Sequence, residues 1–313
     1  IQWCHSEHIY AQNDIYIDMS SKKETTSKKP HKVTSRKASA TTPRKAQRKT
    51  ASNRKKVVKK WEIPVWLYYI LMGLITVAFV VIFYYFFIRP YAYRWKPCYG
   101  LKGYGVCIPH GYKVHGIDIS HYQGEVDWKM LKQTHQSQFP IRFVFMKATE
   151  GGDFADEKFI ANFDSSKVNG FIRGAYHFYN PKTDANKQAD FFINTVKLEK
   201  GDLPPVLDIE KKGRNTDKLR TDLKTWLERV EKHYGVKPII YASYKFKTRY
   251  LNDSVFNSYP YWIAHYYVDS VEYKGDWKFW QHHDAGTLPG IDEQVDLNIF
   301  NGSIQQLDSL RIK

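Results

Sequence analysis

The sequence predicts an α/β chain whose last two hundred residues close into a barrel of eight strands, preceded by a basic tail and one membrane span. Three observations carry that prediction. After His110 the chain alternates eight short apolar runs with amphipathic stretches: Val114–Ile119, Ile141–Ala148, Gly170–Phe178, Pro205–Ile209, Pro238–Ala242, Tyr259–Ala264, Trp277–Gln281 and Gln294–Ile299. Helical patterns fill the early gaps, at Asp127–Gln133, Asp156–Asn169, Asp184–Val196, Asp217–Tyr234 and Tyr244–Leu251, and several open on Asp, a favoured N-cap. After Leu251 the gaps carry no helical pattern. Strands separated by helices imply a parallel sheet. An open doubly wound sheet is the alternative, but no Gly-rich phosphate loop follows any of the runs. The third observation is the 24-residue stretch Val65–Ile88, which holds no charge.

The net charge of +16 first points to nucleic acid or anionic lipid. Of 48 basic and 32 acidic residues, however, 16 and one lie between Ser20 and Lys60. The remainder is balanced to within one charge, so the basicity belongs to a tail. That tail, spanning residues 19–64, is rich in Ser, Thr, Lys and Arg, has almost no large apolar residues and is expected to be disordered. It also lacks aromatics for base stacking between Ser20 and Lys60, so no nucleic acid is expected as a partner.

At about 1.5 Å per residue, the Val65–Ile88 helix reaches roughly 36 Å, enough for a hydrocarbon core of about 30 Å. Tyr68, Tyr69, Tyr84, Tyr85, Trp61 and Trp66 lie near its ends as an aromatic belt would. No small-residue cleavage site follows; Arg89-Pro90-Tyr91 does, so the segment reads as an uncleaved signal anchor. Lys55, Lys56, Lys59 and Lys60 precede it, while Arg89, Arg94 and Lys96 follow, which puts the N-terminus in the cytoplasm and the barrel outside it. Met19 is the first methionine, and residues 1–18 read as upstream sequence or a mis-assigned start, so Cys4 carries no weight. In the linker 89–113, Cys98 and Cys107 enclose a short Gly-containing loop on the oxidising side, where a disulfide is expected. With only His110 nearby they make a poor metal site.

Function in a β/α barrel gathers at the C-terminal ends of the strands. Asp118 is near the end of the first run, Asp208 and Glu210 end the fourth, and Asp296 lies in the eighth. First and eighth strands are neighbours in a closed barrel, so Asp118 and Asp296 can meet. Alternation puts Asp208 and Glu210 on one face. One carboxylate in an apolar strand is often a structural acceptor; four at equivalent ends of one barrel point to chemistry. Glycoside hydrolysis uses such acids: one carboxyl kept protonated for the leaving oxygen, and a second group that supports or attacks an oxocarbenium-like centre. Crowding and desolvation raise the pKa of one of them. Tyr176, Phe178, Tyr241, Trp262 and Trp280, near strand ends, have rings able to stack on sugars or to fill the barrel.

These residues form motifs. GIDIS (Gly116–Ser120) with His121-Tyr122-Gln123-Gly124 and Asp127-Trp128, FVFMKATEG (Phe143–Gly151), RGAYHFY (Arg173–Tyr179), PVLDIE (Pro205–Glu210), IIYAS (Ile239–Ser243), FWQ (Phe279–Gln281) and VDLNIF (Val295–Phe300) together resemble glycoside hydrolase family 25, the Chalaropsis-type lysozymes or muramidases. The resemblance runs in order from about Val114 to Leu307. It implies a (β/α)5(β)3 TIM-like barrel, no cofactor and no metal, and cleavage of the β-1,4 bond between N-acetylmuramic acid and N-acetylglucosamine in peptidoglycan strands. It implies Glu210 as general acid, Asp208 as the group that orients and polarises the N-acetyl group, Asp118 and Asp296 as the rest of the acidic cluster, and Tyr176, Tyr241, Trp262 and Gln281 as the lining of the sugar site. One departure is His282-His283-Asp284 after Trp280-Gln281, where an aromatic is commoner. Adjacent histidines on a strand face opposite ways, so one metal could not easily take both.

Two alternatives stand beside this reading. An endo-N-acetylglucosaminidase or chitinase-like hydrolase also places Asp two residues before a catalytic Glu, but usually with a further Asp where this chain has Val206. A catalytically inactive wall-binding barrel predicts the loss of at least one acid, and all four are present.

Overall fold

A computed structural model of the chain describes residues 63–89, 98 and 101–313; the expectations for residues 1–18, for the tail as far as Glu62 and for most of the linker lie outside them. The described residues before and after the linker fall in separate compact units.

In the first unit, Pro64 precedes helix α1 (Val65–Phe83), and a π-helical turn carries it on to Ile88. A fixed φ near −60° and a missing N–H suit proline to a helix entry. None of the helix's residues is buried, and its mean hydropathy reaches 2.5. Phe79, Phe83 and Phe87, spaced four apart, stack along one face with centroids 6.3 and 5.0 Å apart.

The second unit opens with a hairpin of β1 (Leu101–Gly103) and β2 (Val106–Ile108). Cys107 on β2 is bonded to Cys98, with Cα atoms 5.6 Å apart. The chain then runs β3 (Val114–Ile119), α2 (Trp128–Lys132), β4 (Ile141–Glu150), β5 (Phe154–Ala155), α3 (Phe159–Val168), β6 (Ile172–Phe178), α4 (Ala185–Thr195), β7 (Val206–Asp208), α5 (Thr216–Tyr234), β8 (Ile239–Ser243), α6 (Tyr244–Tyr250), β9 (Tyr261–Ala264), β10 (Phe279–Gly286), β11 (Val295–Phe300) and α7 (Ile304–Leu310). Pairing follows β3-β4-β6-β7-β8-β9-β10-β11 and returns to β3, which closes an eight-stranded barrel. The short β5 folds back antiparallel on the end of β4.

All eight expected strands are present within a few residues of their expected bounds, and helices follow the first five. The strands separated by helices are parallel, as the sequence implied, whereas β11, reached without a helix, runs antiparallel to both β10 and β3. With no α-helix between β10 and β11, the chain returns directly and reverses direction, as a hairpin does. Capping departs from expectation in two places. Asp127 and Asp184 cap α2 and α4. Asn215, not Asp217, caps α5, and Asp156 lies two residues before Lys158, the residue at the α3 N-cap, where one carboxylate oxygen accepts from the Lys158 N–H and the other from the backbone and ring of His121.

Two apolar layers follow from strand alternation. Outward residues such as Ile117, Val144, Ala175, Leu207, Ile240, Ile263 and Leu297 pack with Phe163, Phe192, Leu223 and Trp226 of the surrounding helices. Inward residues Val114, Phe143, Phe145, Val206, Ile239, Phe279 and Phe300 fill the barrel, with Leu307 of α7 packed among them. Glycine is required where those rings sit: a Cβ on Gly116 would lie 2.4 Å from Phe143, and one on Gly174 2.5 Å from Phe145.

The outer layer also buries charge. Arg173 on β6 makes paired bonds to Asp202 of 2.7 and 3.1 Å and donates to the Phe163 carbonyl and to Glu199. Nearby, His177 stacks on Trp226 and sits between Thr149 and Gln188. The amide N–H2 of Gln188 is committed to the carbonyls of Asn180 and Thr183, so its oxygen accepts from the ring and Thr149 donates to Nδ1. His177 is thus held neutral, its pKa pushed down to about 3 by burial, and burial also lowers His115 to about 4.

Between pH 6.5 and 3 the unfolded chain binds the proton that folded His177 refuses, so each unit of acidification within that window removes about 1.4 kcal/mol on its account. The urea midpoint of the full chain in detergent is therefore expected to fall from pH 7 to pH 4.5. Replacing His177 by Gln, which keeps hydrogen bonding without titrating, is expected to make that fall shallower; an unchanged pH slope would remove His177 as its source.

Candidate active site

The polar end of the barrel lies above this apolar filling. β3 brings Asp118 to it, and β11 sets Asp296 opposite Asp118 in register. Because β11 is antiparallel, Asp296 stands near the start of its strand yet at the same end of the barrel as the C-terminal ends of the others. On β7, Val206 and Asp208 face inward while Leu207 and Ile209 join the outer layer. Asp208 is buried, and Glu210, two residues on, is half-exposed. Across the next two pairings Asp208 is aligned with Tyr241, and Tyr241 with Trp262.

Asp118 anchors a buried network. Its Oδ2 accepts from Gln281 Nε2 at 2.8 Å and from Asn298 Nδ2 at 2.6 Å. The oxygen of the Gln281 amide accepts from the hydroxyls of Tyr241 and Tyr266, both at 2.6 Å. The oxygen of the Asn298 amide accepts from Trp262 Nε1 at 2.8 Å. Both amides are therefore oriented by the phenols and the indole, and each turns its N–H2 toward the carboxylate. Charge-assisted bonds of this length are what make a buried carboxylate tolerable.

The phenols report the same crowding. Burial first, and then the charges of Asp118, Asp208, Asp156 and Asp296, hold Tyr176 well above its ordinary value. Burial, then Tyr266, Glu210, Asp208 and Asp118 do so for Tyr241, and burial with Asp296, Asp284 and Asp118 for Tyr266. All three hydroxyls stay protonated at neutral pH and remain donors.

The aromatics divide by face. Tyr176 is half-buried, whereas Trp262 is 2% exposed, stacked on Phe145 with centroids 4.5 Å apart. Trp262 and the equally buried Gln281 form the floor of the cleft. Trp280 does not enter it: as the neighbour of inward-facing Gln281 it points outward, where it packs against Tyr112 and donates to the His265 carbonyl. Phe178 lies at the rim with Lys147 Nζ 4.9 Å and Lys211 Nζ 5.4 Å from its centroid. His282 is buried on the outer face, and Asp284 accepts from Tyr267.

Sequence reasoning missed three contributors. Asn298 stood within VDLNIF, and its spacing of two from Asp296 already put it on the same face. Lys147, buried and 2.5 Å from Glu150, alternates inward with Phe143 and Phe145. Tyr266 lies beyond the end of β9, where alternation gives no guidance.

The family profile of the glycosyl hydrolases family 25 matches residues 117–291. Among curated relatives, the uncharacterized protein YegX of Escherichia coli (strain K12) is 41% identical over 219 residues, which cover 69% of this chain and 79% of the relative. Lysozyme M1 of Streptomyces globisporus is 33% identical over 218 residues, 63% of this chain and 71% of that protein. The crystal structure of the bacterial lysozyme from Streptomyces coelicolor superposes with a TM-score of 0.59 at 32% identity, over 64% of this chain and 97% of that one.

Replacing Asn298 by Leu leaves the Trp262 indole without its acceptor and takes one donor from Asp118, which is expected to cost about 1–3 kcal/mol for the stranded groups. Trp262→Phe removes the donor, strands the Asn298 oxygen and leaves part of the buried indole's volume empty, and is expected to cost at least as much. Because the two share one bond, the double variant should lose less than the sum. Urea unfolding of the four proteins measures this, and strict additivity would show that the bond is not the coupling.

Proposed function

The chain belongs to the glycosyl hydrolases family 25, and from that premise we propose that it is a peptidoglycan muramidase, hydrolysing the β-1,4 bond between N-acetylmuramic acid and N-acetylglucosamine. The observation that carries the reading is the convergence of Asp118, Asp208, Glu210 and Asp296 on one end of a barrel otherwise filled with hydrocarbon.

Glu210, half-exposed at the rim, is the general acid that protonates the leaving oxygen. Asp208, deeper and two residues before it, orients the substrate N-acetyl group and polarises its oxygen toward the sugar carbon that becomes positive. Asp118 is held in place by its two amide donors, and with Asp296 it supplies negative potential that favours a cationic transition state over the neutral ground state. Tyr176 and Tyr241 line the sugar site directly. Trp262 and Gln281 line it from beneath, by fixing Asp118 and the phenols.

A Glu210→Gln variant keeps shape and hydrogen bonding but has no transferable proton, and is expected to lose about 10²–10⁴ in kcat. The assay is release of fragments from purified peptidoglycan by the full chain in detergent, with the new reducing end identified by mass spectrometry. A reducing N-acetylmuramic acid end supports the muramidase reading, whereas a reducing N-acetylglucosamine end assigns a glucosaminidase. Parent-level activity in Glu210→Gln would end the mechanism.

The apolar helix Val65–Ile88 is the anchor in this reading, with the barrel on the non-cytoplasmic side, where its substrate lies. Its length, its lack of charge and the four lysines just before it support that orientation. A reporter active only outside the cytoplasm, fused after Lys313, is expected to be active. A C-terminus protected from protease in spheroplasts would reverse the orientation.

A further inference from the structure

We propose that His121, Tyr122 and Phe154 form a carbohydrate-binding ledge beside the acidic cleft, a further subsite that stacks on a pyranose ring of the glycan strand beyond the two sugars flanking the cleaved bond. The proposal rests on the muramidase reading and adds to it a preference for long strands.

The ledge is continuous with the cleft. The turn His121–Gln123 begins three residues after Asp118, directly beyond the end of β3. It is locked at both ends: Ser120 N–H donates to Gln123 Oε1 at 2.9 Å, and Gln123 Nε2 donates to the Gln294 carbonyl at 3.1 Å. Gln294 lies two residues before Asp296, so the strands that bring Asp118 and Asp296 together also fix this turn.

Beneath the turn, Asp156 is buried and accepts from the His121 backbone N–H at 2.8 Å and from its Nδ1 at 2.9 Å. That pair of hydrogen bonds sets the imidazole as a platform. Tyr122 lies over it with centroids 4.1 Å apart and planes 34° apart, and Phe154 meets it edge-on at 5.8 Å. Phe154 is carried by β5, which pairs with the end of β4, and Lys147 sits between its ring and that of Phe178 at 5.6 and 4.9 Å.

Two of these three rings are nonetheless turned to water: Tyr122 is 52% and Phe154 44% exposed, while His121 is half-buried beneath them. Large rings are ordinarily most stable with their surface covered. A pyranose suits the place. Its axial C–H face is apolar and matches a ring, while its hydroxyl and acetamido groups point outward to water and to charges such as Lys147 and Glu150. A strand of such sugars bound across Asp118 must leave the cleft over its rim.

The test measures length preference. Peptidoglycan glycan chains freed of their peptides are separated by length, and the full chain in detergent is assayed on the shortest fragment cleaved and on chains several sugars longer. The parent is expected to favour the longer chains. The double variant Tyr122→Ser with Phe154→Ser is expected to lose about tenfold of that preference, read as the ratio of the two kcat/KM values, since each 1.4 kcal/mol of stacking is a factor of ten. Phe154→Tyr keeps a stacking ring and is expected to keep the preference, and Val168→Ser, an exposed change on α3, serves as the surface control. An unchanged ratio in the double variant, or an equal loss at all lengths, overturns the ledge while the muramidase reading stands. Self-association of the parent that the double variant abolishes, with the ratio intact, overturns it too and assigns the rings to a second copy. A parent that cleaves no wall glycan brings down the muramidase reading, and the ledge with it.

Discussion

The carboxylate of Asp118 is the group around which the polar half of this barrel is arranged. Buried at the seam where β3 meets β11, it needs donors that stay in place. Gln281 and Asn298 supply them, and each is oriented in turn by donors: an indole N–H, which can only donate, for Asn298, and for Gln281 two phenols kept protonated by burial and by the acids around them, both donating to its amide oxygen. The network thus ties β3, β8, β10 and β11 to β9 and to the loop after it. Every strand it joins also carries, or pairs with, a residue of the proposed site. Remove one amide and a buried negative charge loses part of its solvation while the donors beyond it lose their acceptor.

That arrangement is possible because the barrel is filled unevenly. The lower half is hydrocarbon, with Phe143 and Phe145 spread across its width and Gly116 and Gly174 bare so that the rings fit. With that space filled, the low-dielectric floor reaches up to the carboxylates, where the fields of neighbouring charges act strongly. The antiparallel β11 matters for the same reason. Its direction brings Asp296 to the level of Asp118 on the inward face, with Asn298 one pleat below it and Phe300 two residues further into the apolar floor. One strand therefore serves both halves.

Much of this was legible in the sequence because it rests on local periodicity. Eight apolar runs gave eight strands, and alternation along PVLDIE correctly separated inward Asp208 from outward Leu207 and Ile209. The adjacency of the first and eighth strands predicted the meeting of Asp118 and Asp296 without any knowledge of strand direction. What escaped depends on pairing at a distance. The direction of β11 is set by which neighbour it joins, and no residue within it encodes that. Asp156 has the look of a helix cap, and only the fold shows that His121 claims it. Tyr266 enters the site from a loop. Trp280 is a different failure: with Gln281 set inward, alternation already required its neighbour to face out. Glu199 gave no signal of its part in holding Arg173, since exposed carboxylates beside a turn are common and the buried arginine lies 26 residues away.

The division of the barrel also bears on which hexosamine bond it cuts. A chitinase-like arrangement sets a further aspartate two residues before the Asp-x-Glu pair, at the position of Val206. Here that position is fully buried and inward-facing, and it packs with Phe143, Phe145, Leu203 and Ile239. A carboxylate there would lie one pleat below Asp208, within the hydrocarbon filling. Unpaired burial of that kind costs several kcal/mol unless the group is protonated or a partner reaches it. In the chitinase-like arrangement a third acid extends the polar column downward, beneath the aspartate that handles the acetamido group. In this chain the column stops at Asp208, and support for Asp118 arrives sideways from amides and phenols instead. The two designs surround a carboxylate at the polar end of a barrel with different walls. The wall built here, with a valine below and Gln281 and Asn298 beside, fits the muramidase reading and lacks the third acid of the chitinase-like one.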